Sequence, residues 1–166
     1  MSRLKTPPPE KPSLRHIKKR LSSAAPEDRA AIIRESAGSA STQSLLWDLL
    51  EDPDDKIRSL AVKELSGCGR LNPAEITKKL SHPQWFIKCA ALDIIGKMKD
   101  PDYLENLTPL IQDRNAEVRK TTARILGEIG GRNAEKLLIP LLRDKSLFVK
   151  TEAEKSIAKI SRLKFT

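Results

Sequence analysis

The chain has 166 residues, of which 39% are hydrophobic, 32% charged and 4% aromatic, with a net charge of +9. That length suits one domain, and the scarcity of aromatics leaves Leu, Ile, Val and Ala to build the core. No run approaches the roughly 18 apolar residues of a membrane span and the N-terminus lacks a signal peptide's apolar stretch, so a soluble, cytoplasmic protein is expected.

Residues 1–12 include Thr6-Pro-Pro-Pro-Glu-Lys-Pro12, a polar, proline-rich run expected to form an extended tail. The positive charge gathers at this end. Residues 1–20 hold seven Lys and Arg against Glu10 alone, so +6 of the charge lies there and only +3 in the other 146 residues. Residues 13–166 are expected to form the folded domain. Ser13 is placed to cap a basic amphipathic helix with Leu14, Ile17 and Leu21 on one face, and Pro26-Glu-Asp opens a second helix with Ala30, Ile33 and Ala37. Residues 13–37 therefore read as a degenerate first two-helix unit of a repeat.

The repeat itself is plain from residue 50 onward. Leu50-Glu-Asp-Pro-Asp-Asp-Lys-Ile-Arg58 realigns with Leu80-Ser-His-Pro-Gln-Trp-Phe-Ile-Lys88, Ile111-Gln-Asp-Arg-Asn-Ala-Glu-Val-Arg119 and Leu142-Arg-Asp-Lys-Ser-Leu-Phe-Val-Lys150, in steps of 30, 31 and 31 residues. Downstream, three columns stay in register: Ile57, Ile87, Val118, Val149; then Ala61, Ala91, Thr122, Ala153; then Leu65, Ile95, Leu126, Ile157. Spacings of four and eight set an apolar stripe on one face of a helix, and the small middle column admits a close neighbour. These B helices should open after Asp54, Gln84, Asn115 and Ser146, three of which are good caps. Gly67, Gly96, Gly127 and Gly130 should end them or allow close packing.

Shorter apolar segments at 44–51, 73–80, 101–111 and 133–142 precede the B helices and read as A helices. Asn72-Pro73 and Asp100-Pro101 pair a cap with proline at the first helical position, whereas Pro109 and Pro140 fall inside their helices and should distort them. The predicted fold is an all-α superhelix of about five two-helix repeats, each covering its neighbour's apolar face.

Leu49-Leu-Glu-Asp-Pro-Asp-Asp-Lys-Ile-Arg58 and Val118-Arg-Lys-Thr-Thr-Ala-Arg-Ile-Leu-Gly127 resemble HEAT repeats, nearest to the short variety of phycobilisome lyase-like proteins. The resemblance spans residues 42–160, although the period here is shorter than the about 40–47 residues of long HEAT repeats. It implies a right-handed, curved stack with B helices on the concave side. It also implies a ladder between units, built from an acid near each A–B turn and a base six positions on. Asp52 with Arg58, Asp113 with Arg119 and Asp144 with Lys150 have that spacing. In the third unit His82 replaces the acid, so the ladder should be interrupted there.

Little in the chain suggests catalysis. His16 and His82 are far apart in sequence, no HExxH pattern occurs, and the His-Glu pairs by which the HEAT-like deoxyhypusine hydroxylases bind iron are missing. Cys68 and Cys89 lack metal or redox spacing and read as reduced packing residues. Gly127-Glu-Ile-Gly130-Gly131 closes a helix, so it does not cradle phosphate. No cofactor or metal is expected.

Binding candidates are clearer. Trp85 and Phe86, beside His82, bring large aromatics to a helix start where other units have Asp55-Lys56 or Ala116-Glu117; they either anchor a partner or cover the core. Arg58, Lys88, Arg119 and Lys150 form one basic row, and Lys63, Arg124 and Lys155 a second, interrupted by Asp93. Either row would follow a phosphate backbone or an acidic peptide, unless the first is spent on the ladder. The leading expectation is a non-catalytic scaffold that receives a helix or an extended acidic segment of another protein. The alternatives are a nucleic-acid binder in the style of HEAT-like DNA glycosylases and an accessory subunit of a bilin lyase, the latter on resemblance alone.

Overall fold

The computed structural model describes residues 13–36, 40–68 and 71–163. The proline-rich tail at 1–12 and Ala37 lie outside the described residues, as does the side chain of Leu14. The elements are α1 (Leu14–Ser23), α2 (Pro26–Ser36), α3 (Ala40–Asp48), α4 (Asp55–Ser66), α5 (Pro73–Leu80), α6 (Trp85–Met98), α7 (Leu104–Leu107), α8 (Ala116–Ile129), α9 (Gly131–Leu138) and α10 (Leu147–Leu163). Among the described residues there is no strand, and the chain is an all-α repeat solenoid.

The B helices of the second to fifth units are α4, α6, α8 and α10, and each starts where its cap predicts. Asp54 and Asn115 accept from the backbone N–H two residues on, closing the first turn. Gln84 makes no side-chain cap bond. Successive B helices pack directly on one another, α4 on α6, α6 on α8 and α8 on α10. The apolar columns form the interior, with Ile57, Ala61, Leu65, Ile87, Ala91, Ile95, Val118, Thr122 and Leu126 all buried. Thr122 satisfies its hydroxyl by donating to the Val118 carbonyl.

The prolines inside A helices act as breaks. A proline lacks the N–H for the α-helical bond and crowds the carbonyl four residues back. Thus α7 stops at Leu107 and α9 at Leu138, and the chain continues as 3-10 turns, Thr108–Gln112 with Pro109 and Ile139–Arg143 with Pro140.

The glycines divide into two roles. Gly96 and Gly127 lie within α6 and α8 and do not end them; a Cβ at Gly96 would run into Ile125 Cδ1, and one at Gly127 would stand 2.5 Å from Ser156 Oγ. Their lack of a side chain sets how closely neighbouring B helices approach. Gly130 ends α8 in a positive-φ conformation, and α6 ends on Lys99, which takes the left-handed region without being glycine.

The first unit is α1 and α2, capped by Ser13, whose Oγ accepts from His16 N–H. Ile17, Leu21, Ile32 and Ile33 are buried in the same core as the other units.

Candidate functional site

Of the first basic row, Lys88 and Arg119 lie between units, paired with acids of the next unit. The ladder joins the base of one unit to the acid of the next: Arg29 to Asp52, Lys88 to Asp113 at 2.5 Å, and Arg119 to Asp144 at 2.7 Å. Each acid also accepts from the backbone N–H two residues on, at Asp54, Asn115 and Ser146, so it fixes the turn into its own B helix. Hydrogen bonds from Arg119 and from Ser146 N–H hold the Asp144 carboxyl below the usual carboxylate range against its burial. The Asp113 carboxyl is also lowered: burial opposes this, and bonds from Lys88 and Asn115 N–H outweigh it. Lys150 makes no ion pair among the described residues.

At the third unit the acid is missing, so the base left over is Arg58 of the unit before it, while Lys88 keeps its place in the ladder. His82 imitates half of the missing aspartate, because its Nδ1 accepts from Gln84 N–H at 3.2 Å. It offers no carboxylate to Arg58. Arg58 donates to the carbonyls of Asp52 and Pro53, as Arg119 does to those of Asp113 and Arg114, but it bonds Asp55 of its own helix at 2.7 Å and lies over the Phe86 ring with its Cζ 5.4 Å from the centroid. On the other side, Lys79 bonds Glu51 at 2.6 Å, which keeps the Glu51 carboxyl below its ordinary range, and His82 Nε2 is 3.7 Å from the same oxygen.

Phe86 is thus half-buried against Arg58, and Trp85 meets it edge to face at 6.1 Å. Trp85 itself is 47% exposed. With Cys89 and Asp93, spaced at four, it forms a ridge along α6 between two grooves. The groove toward α4, of about 350 Å³, is lined on its far wall by Asp55, Ser59 and Val62. The groove toward α8 and α10, of about 240 Å³, is lined by Glu117, Lys120, Arg124 and Glu152. Burial pushes the Cys89 thiol up, which leaves it a poor nucleophile.

Of the second basic row only Arg124 lines these grooves, and it is neutralised. Arg124 pairs with Asp93 and, at 2.9 Å, with Glu128. Lys63 and Lys155 are exposed and make no ion pair among the described residues. No group of His, Cys, Asp or Glu among those residues is arranged to hold a metal ion, and no described helix is long and apolar enough to cross a membrane.

Sequence reasoning missed Arg29 and Leu147, and saw Phe148 only as an aromatic close to a turn. Arg29 joins the ladder from the first unit; its signal was position, four residues after Ala25, the residue that precedes α2, as Arg58 stands four after Asp54, which precedes α4. Leu147 and Phe148, the counterparts of Trp85 and Phe86, are 71% and 76% exposed.

A family model describing HEAT repeats matches residues 73–158, just over half of the chain. No curated protein matches the chain significantly. Among solved structures, an engineered protein determined by crystallography is similar to the chain at 21% identity and a TM-score of 0.49, over 89% of this chain and 79% of that one.

Proposed function

The chain belongs to the HEAT-repeat family, and on that premise we propose that it is a non-catalytic, cytoplasmic scaffold that receives another protein on its B-helix face around Trp85. HEAT repeats commonly serve as interaction scaffolds and are typically non-catalytic. The observation that carries the reading is Trp85: a large aromatic left 47% exposed on a ridge between two grooves, on rigid helices. Such residues make good interface anchors.

A partner that reads phosphates fits this face less well. Of the seven basic residues in the two rows, Arg58, Lys88, Arg119 and Arg124 already have carboxylate partners. The same pairing removes the reason to expect an acidic segment. The nucleic-acid reading retains two supports, the basic N-terminal end with Arg15, Lys18 and Lys19 exposed on α1, and the exposed cations Lys155, Lys159 and Arg162 along α10. No observation on the surface favours a bilin lyase subunit.

Affinity capture from native extract at low and high salt, before and after nuclease, tests the proposal. A protein captured by the wild type that survives nuclease and is lost with Trp85→Ala is the expected result. Retention by Trp85→Ala, or loss of signal with nuclease and a steep fall with salt, contradicts it.

A further inference from the structure

We propose that the B-helix face binds an extended segment of another protein that presents, in order, a large apolar side chain, a basic side chain and a second large apolar side chain. This rests on the scaffold reading and specifies the kind of segment the scaffold takes.

Three stations lie across the stack. The first is the groove between α4 and α6, where Val62, Phe86, Ala90 and Trp85 offer an apolar wall to an apolar side chain and Asp55, Arg58 and Asp93 also line the site. The second is the groove between α6 and α8, where Asp93, Glu117 and Glu152 meet Lys120 and Arg124. Lys120 is bonded to Glu117 at 3.1 Å and Arg124 to Asp93 and Glu128. Glu152 has no counter-ion among the described residues, so the groove is left with one uncompensated carboxylate beside an exposed indole. A lysine or arginine satisfies both, by charge and by stacking. Lys155 and Lys159 line the next trough along α10. The third station is Leu147 with Phe148, in the register of Trp85 and Phe86 and almost fully exposed.

Packed helices lie about 8–10 Å apart, and an extended chain advances about 3.3 Å per residue. The segment therefore moves on about three residues per helix crossed. Its basic residue falls about three positions after the first apolar one, and the second apolar one about four later.

The test is selection from a random peptide display library on the full chain, in parallel with a Trp85→Ala/Leu147→Ser variant whose melting is checked against the wild type. The wild type alone is expected to enrich a Lys or Arg flanked by large apolar residues at those spacings. With a labelled peptide of that consensus, Glu152→Lys should weaken binding about tenfold, and proline between the anchors should cost no more than about threefold. Equal enrichment on the variant, an acidic consensus, indifference to Glu152→Lys, or abolition by proline overturns the proposal. Failure here with Trp85-dependent capture intact overturns this inference alone; loss of Trp85 dependence in capture overturns the scaffold reading beneath it.

Discussion

The boundary between the fourth and fifth units and that between the second and third are built from the same repeat, yet they behave differently. At the former, Arg119 and Asp144 meet with side chains only 5% and 8% exposed, and Asp144 also fixes the turn into α10. At the latter, His82 keeps the turn but supplies no carboxylate, and Arg58 pairs with Asp55 at its own helix start and lies over Phe86. Three departures from the template, His82 for the acid and Trp85 and Phe86 at the helix start, put an aromatic-lined surface where the regular boundary has an internal ion pair. The regular boundary holds the stack together, and the irregular one leaves Trp85 for a partner.

Breaking the regular boundary should have the largest effect. Removing one member of a buried pair strands the other, at about 3–5 kcal/mol; Asp144→Ala is expected to lower the melting temperature by roughly 10 °C. The same pair sets the acid response. Its carboxyl is held low when folded, so its contribution is fully present above the ordinary carboxylate range, near pH 4. That contribution disappears as pH falls through the lowered folded value. Thermal melts between pH 7 and 2 should show a decline confined to the acid end, shallower in Asp144→Asn.

Overfilling the close approach between α8 and α10 comes next. Gly127→Val drives a side chain into Ser156 and should cost about 1–3 kcal/mol. Chemical denaturation should show the loss, with partial recovery in Gly127→Val/Ser156→Gly.

Repairing the irregular boundary should have a smaller effect of opposite sign. In His82→Asp the carboxylate keeps the Gln84 bond and gains Arg58, for about 1 kcal/mol or less, read as a small rise in melting temperature. Smallest of all in stability is Trp85→Ala, expected within about 0.5 kcal/mol of wild type because the indole is half in solvent.

Most of the fold was legible in the sequence because a repeat states its pattern several times. Asp54 and Asn115 gave the helix starts, and Ile57 with Ala61 and Leu65 gave the buried face. The six-residue spacing between Asp113 and Arg119 correctly marked ladder residues but not their partners. The reach of a side chain across two packed units is invisible in spacing, and the true pairs stand 23 residues apart for Arg29 with Asp52 and 25 apart for Lys88 with Asp113 and Arg119 with Asp144. Arg29 stayed hidden because its helix breaks the apolar columns, with Asp28 and Ser36 where the other units carry Ile, Val or Leu. Gly96 and Gly127 could not be told from helix-ending glycines, since only the neighbouring helix reveals their role. At the candidate site the aromatics were visible, but the fate of each cation depended on which carboxylate the stack brought near.

The most direct measurement pairs melting temperature with capture of the same nuclease-resistant partner for Trp85→Ala and Asp144→Ala. The expected result is a separation: Trp85→Ala melts like the wild type and loses the partner, while Asp144→Ala melts far lower and still captures it below its transition. If Trp85→Ala instead melts as low as Asp144→Ala, Trp85 belongs to the core; if it captures as well as the wild type, the irregular boundary is not the binding surface.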